Sequence, residues 1–235
     1  MNWEWISEAM DKKIINTDKI IIAVDGPAAS GKGTIAKKIA KNFNLAHMDS
    51  GKLYRASALF LLNSNFDLED EDLVVREIKN FNFANISFKN KNLLSDKIGI
   101  AASFIAKYKG LREYLLIVQQ NFAINIKDQL TGVVIDGRDI GTVVLPNADL
   151  KFFITASMDV RIERRCKELI SLGYNIIKRH VQQEMQERDE RDSQRVNSPL
   201  YAASDAILLD TTKLDADASY VLVKKHVEDY LNKIG

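Results

Sequence analysis

One short run near the start of the chain has the composition of an anion cradle: Gly26, Pro27, Ala28, Ala29, Ser30, Gly31, Lys32, Gly33 and Thr34. Glycines let the backbone curl until several N–H groups point inward. A helix beginning at the end of such a run adds its free N–H groups and the positive end of its dipole to the same spot. Lys32 adds a full charge that can follow a phosphoryl group as it moves. The run matches the phosphate-binding P-loop, with one departure: Gly33 follows the lysine and the hydroxyl comes at Thr34. A glycine-rich turn that binds nothing is the alternative, and the flanking elements argue against it.

A second constellation consists of arginines far apart in sequence. Arg55 follows Asp49-Ser50-Gly51, Arg112 opens a helical stretch, and Arg138 lies in Asp136-Gly137-Arg138-Asp139. Arg188, Arg191 and Arg195 recur at spacings that share one helix face if the helix continues. Guanidinium forks bind phosphate oxygens bidentately, so arginines converging on one cleft suit a phosphorylated acceptor. Arg191 has an equally ordinary reading as an ion pair with Glu187. Asp136 closes an apolar run, and an acid there can hold Mg²⁺ directly or through water. The full set of metal ligands stays open.

These residues need a frame. Ile20–Val24 is a continuous β-branched run, the pattern of a strand buried on both faces. Leu45–Met48, Gly132–Asp136, Leu150–Ile154 and Ala206–Leu209 read as further strands. Helical spacing covers the stretch from Gly33, then 52–63, 71–80, 96–107, 111–124, 159–172, 176–191 and 216–233. Strands alternating with helices predict an α/β fold, a three-layer α/β/α arrangement on a mostly parallel five-stranded sheet. Residues 81–95 predict a small appended sheet on the acceptor side. Residues 1–18 read as an N-terminal extension before one domain spanning 19–235.

Composition narrows the function classes. The chain has 235 residues, 46% apolar, and its 33 basic and 32 acidic side chains nearly cancel. That balance argues against a general binder of nucleic acid or of anionic membranes. The single cysteine, Cys166, has no partner for a disulfide and reads as an ordinary helix residue. No signal peptide and no membrane-length apolar run is evident, so a cytoplasmic location is expected.

Taken together, the segments resemble the bacterial cytidylate kinases from Ile20 to about Lys233. The matching segments are Asp25–Thr34, Asp49–Arg55, Ala101–Ser103, Leu111–Glu113, Asp136–Val144 and Glu187–Asp192. The resemblance implies transfer of the γ-phosphoryl group of ATP, with Mg²⁺, to CMP or dCMP by a cytoplasmic monomer. It implies Lys32, Arg138 and Arg195 as catalytic residues, and Arg55, Arg138 and Arg195 as clamps on the acceptor phosphate. It implies Ser103, Arg112 and Asp139 as readers of the cytosine edge, Arg188 and Asp192 as ribose contacts, and Ser50 within the acceptor pocket. Arg161, Arg164 and Arg165 would belong to a mobile helical lid of about 157–195 over ATP, with Thr211 and Thr212 near adenine. Base chemistry agrees: a carboxylate can accept from the cytosine amino group, where uracil presents an oxygen.

The chain departs from the family at Lys109-Gly110, where many members have Pro-Arg, and between Asn82 and Leu94, which is short. Other small P-loop kinases, for adenylate or dephospho-coenzyme A, share the cradle but lack the Asp-Gly-Arg-Asp segment. A nucleotide-dependent switch would need no second phosphate pocket.

Overall fold

A computed structural model describes residues 19–83 and 90–234. Five strands, β1 (Ile20–Asp25), β2 (Leu45–Asp49), β3 (Gly132–Gly137), β4 (Leu150–Thr155) and β5 (Ile207–Asp210), form one sheet in the order β2-β3-β1-β4-β5. All four pairings are parallel. The register aligns Asp25 with Gly137 and Asp49 with Asp136, so three strand-end carboxylates gather at one edge of the sheet. That carboxyl edge is where open α/β sheets bind ligands.

The two faces of β1 explain its unbroken apolar run. Ile20, Ile22 and Val24 face α1 (Lys32–Asn42) and α8 (Ala216–Ile234), meeting Ile35, Ile39, Val223 and Val227. Ile21 and Ala23 face the other way, toward Val133, Ile135, Ile140 and Ala123. Successive side chains of a strand point to opposite faces, so both faces must be apolar when both are covered.

A separate apolar cluster holds α2 (Ser50–Asn63), α3 (Glu71–Lys79), α4 (Asp96–Ile105) and α5 (Lys109–Ile124). Asp49 caps α2 by accepting from the Lys52 N–H, and Asp70 caps α3 by accepting from the Leu73 N–H. Beyond β4, α6 (Met158–Ser171) packs on α7 (Lys178–Gln194) through Ile162, Cys166, Leu169, Val181 and Met185. Cys166 is therefore a buried residue of α6, a helix position as expected. Among the described residues no helix is long and apolar enough to cross a membrane.

Two expectations change. Leu93-Leu94, expected in an appended sheet, lie in a 3-10 helix at Lys91–Leu94. Asn90 caps that turn by accepting from the Asn92 N–H, and Leu93 is buried among the helices instead of alternating along a strand. Residues 81–83, in the same expected sheet, form no strand, and 84–89 lie outside the described residues, as does the extension 1–18. The last helix before β5 ends at Gln194, so Arg195 is its C-cap, with an extended ψ of 140°.

Candidate active site

The run 26–34 folds into a cradle at the carboxyl end of β1. Gly31, at φ 95°, takes a left-handed turn that a side chain would strain, and α1 starts immediately after it. Lys32 is buried and donates to the Pro27 carbonyl at 3.0 Å. Burial depresses its pKa to about 7, Arg138 and Arg188 lower it further, and Asp136 and Asp49 oppose them.

The cradle forms one wall of a cleft of about 610 Å³. Arg55, Arg138, Arg164, Arg165 and Arg188 border the same space, with Asp49, Asp136 and Thr211. Arg55 is held by the carbonyls of Leu93 (2.6 Å) and Ser95 (3.2 Å). Burial and then the neighbouring cations Arg188 and Arg165 lower its pKa to about 9. Arg188 is lowered to about 10, by burial and then by Arg138. A pocket whose cations weaken one another is one that an anion relieves.

Asp192 gathers three arginines. Its carboxylate accepts from Arg138 Nε at 2.9 Å and lies 3.7 Å from Arg195 and 3.9 Å from Arg188. Arg195 also bonds the Ser198 carbonyl, at 2.5 Å. Arg195 does not border the main cleft; it sits behind Asp192 and 4.0 Å from Asp139. A second, smaller cavity of about 250 Å³ is lined in part by Arg112, Asp139 and Tyr54. Arg112 is ion-paired with Asp139, and its guanidinium lies 5.8 Å from the Tyr54 ring centre. The buried nitrogens Arg112 Nε and Arg195 Nη2 carry no protein hydrogen bond. Ser103 lies elsewhere, receiving a bond from Arg191 Nε at 3.2 Å. Ser50 is buried behind Gly137, where a side chain on the glycine would strike its hydroxyl.

The three arginines of α6 divide their work. Arg164 bonds the Ser30 carbonyl, both oxygens of Thr211 and the Leu214 carbonyl, at 2.8–3.3 Å. Arg165 instead reaches across to the Leu94 carbonyl (3.0 Å) and Asp96 (2.5 Å). Arg161 is buried, bonding the Ala156 and Ala28 carbonyls and pairing with Asp189 at 2.6 Å. Thr212 accepts from the Ser157 N–H at 2.8 Å.

Residues outside the sequence reading also shape the site. His47 Nε2 is 2.8 Å from Asp136 Oδ2 and fixes that carboxylate at the cleft edge. Gly99 leaves room for the Arg55 guanidinium, which a side chain there would displace. Asp25 binds the backbone after Asp139. Only Asp25 carried a signal in sequence, as a charged residue ending an otherwise apolar strand.

For a metal, Thr34, Asp49 and Asp136 offer oxygen donors around the cradle. Among the described residues there is no group of three or more His, Cys, Asp or Glu that could hold a metal ion. That donor set fits Mg²⁺, which takes one or two carboxylates and completes its shell with water and nucleotide phosphates.

A parallel sheet, a P-loop at the carboxyl end of its central strand and a facing set of arginines define a P-loop nucleotide-binding protein with a second anion pocket. The family model described as "Cytidylate kinase" matches residues 22–228. The chain belongs to the cytidylate kinase family. It is 43% identical over 201 residues to the cytidylate kinase of Methylocella silvestris, covering 86% of this chain and 90% of that one. With the cytidylate kinase of Xanthobacter autotrophicus it shares 43% over 209 residues, covering 89% and 97%. With that of Bartonella tribocorum it shares 41% over 210 residues, covering 88% and 94%.

Proposed function

We propose that this protein transfers the γ-phosphoryl group of ATP to CMP or dCMP, giving ADP and the nucleoside diphosphate. One observation carries the reading: the phosphate cradle and the guanidinium groups of Arg55, Arg138 and Arg188 border the same cleft. A binding protein or switch has no use for a second anion pocket beside the first.

In this mechanism the cradle N–H groups and Lys32 hold the donor phosphates. Arg55 and Arg138 hold the acceptor phosphate, with Arg195 reinforcing Arg138 through Asp192. The acceptor phosphate is an oxyanion near neutral pH, so no general base is needed. Catalysis is then alignment and neutralisation of charge in a closed space. Mg²⁺ bound with ATP, near Thr34, Asp49 and Asp136, would neutralise phosphate charge. Arg164 ties α6 to the cradle and to Thr211, which suits a cover that keeps water from the phosphoryl group. Arg112 and Asp139 form the base reader, offering a donor to cytosine ring acceptors and an acceptor to its amino group. Arg191 borders the main cleft and donates to Ser103, which itself lines neither cavity. The enzyme is taken to be cytoplasmic and monomeric, as the family resemblance implies.

An ADP-release assay with CMP, dCMP, UMP, AMP and GMP tests the reading. CMP and dCMP should drive turnover. ADP release that needs no acceptor, or that prefers AMP, refutes it.

A further inference from the structure

Asp25 joins the two halves of the cleft without touching it. It is the last residue of β1 and the one before Gly26 of the cradle. Its Oδ1 accepts the Ile140 N–H at 2.8 Å and its Oδ2 accepts the Gly141 N–H at 2.7 Å. These two N–H groups open the short π-helix Ile140–Val144, whose cap is Asp139. First-turn N–H groups have no partner within their own helix, so a carboxylate that takes two of them fixes the entry of the chain. The chain entering here is Gly137-Arg138-Asp139, which carries one phosphate clamp and the base-reading carboxylate.

The charged groups facing Asp25 are Asp139 and Lys32. The aliphatic stem of Lys151 lies against Gly141, and its ammonium is spent on the Pro146 carbonyl and Asp205. Asp25 is 5% exposed and does not border the cleft, so it has no route to substrate.

We propose that Asp25 is a positioning residue for acceptor choice: its carboxylate locks Arg138 and Asp139 in register with the strand end from which the phosphate cradle springs. The inference rests on the acceptor reading given above. An asparagine offers one acceptor and one donor, so its amide nitrogen would confront one of the two N–H groups and release one end of the turn.

The test uses the full-length enzyme and Asp25→Asn. The ratio of kcat/KM for CMP over UMP should fall about tenfold, the order expected for one charge-assisted hydrogen bond. Most of the loss should lie in the KM for CMP, with ATP affinity changed less than about threefold. A merely structural role would lower the melting temperature and leave the ratio untouched. Burial pushes the Asp25 carboxyl up to about 6 although both N–H groups pull it down. The wild-type ratio should therefore fall as pH drops from 7.5 to 5.5, and in the variant it should be flat. Titration of the acceptor phosphate is common to CMP and UMP and cancels in the ratio. A folded Asp25→Asn enzyme with the wild-type ratio overturns the inference. If the variant does not fold, the wild-type profile decides, and a ratio constant over that pH range overturns it. A wild-type enzyme that does not prefer CMP to UMP overturns instead the acceptor reading beneath it.

Discussion

Lys32 should take up a proton when ATP binds. Its ammonium is buried, donates to the Pro27 carbonyl, and sits in the field of Arg138 and Arg188. With a pKa of about 7 in the free protein, against 10.5 ordinarily, it is half charged at neutrality. A triphosphate brings several negative charges to within contact distance and restores the ordinary basicity. At pH 8 the uptake should be about 0.9 proton per ATP, and at pH 6 about 0.1. Affinity should weaken about tenfold for each pH unit above 7, because binding then includes protonating the lysine. Folding stability moves the other way. The unfolded chain holds this proton more tightly, so the Lys32 contribution rises as pH climbs through about 7 toward 10.5. Titration calorimetry of Mg-ATP in two buffers of different ionisation enthalpy measures the uptake directly. Lys32→Arg, which stays charged at every accessible pH, should bind without it. Uptake below about 0.2 proton at pH 8, or an affinity level from pH 7 to 9, refutes the reasoning.

Asp139→Ala should lower the CMP over UMP ratio of kcat/KM by about 100-fold, because buried Arg112 loses its partner and the amino group its acceptor; steady-state kinetics with both acceptors decides. Lys32→Met should leave the fold intact and abolish transfer, checked by circular dichroism and ADP release; near-normal turnover contradicts the cradle assignment. Arg164→Ala should raise the KM for ATP about tenfold and spare that for CMP, since it severs bonds to Ser30, Thr211 and Leu214; the opposite split would move Arg164 to the acceptor side. For Asp25, whose folded pKa of about 6 exceeds the unfolded 3.8, stability is gained as pH falls through 6. Denaturant melts should therefore show wild type gaining about 1.4 kcal/mol on Asp25→Asn between pH 8 and 5.

Strands and cradle were legible because their signals are local. Ile20–Val24 is apolar at every position because both of its faces are covered, and the loop needs glycine where Gly31 turns left-handed and where Gly26 lies against the Ile154 carbonyl. The arginines were legible as a set, but their division of labour was not. Arg195 leaves its helix at Gln194 and backs Asp192, while Arg191 turns to Ser103. Those choices depend on partners from other elements, as does the pairing of Asp25 with residues more than a hundred positions away. Leu93-Leu94 misled because two adjacent leucines fit a short strand as well as a capped turn, and only the cap at Asn90 separates them.

The apolar cluster between α6 and α7 also includes Ala28 and Ala29, two residues of the phosphate cradle itself. The helix pair thus rests its weight on the same few backbone atoms that would grip the donor. Curl of the loop and height of the roof become one mechanical coordinate, with the two methyl groups as its bearing surface. A bulkier side chain at Ala28 would act as a shim, propping the roof open and stretching the bonds from Arg161 and Arg164 to the Ala28 and Ser30 carbonyls.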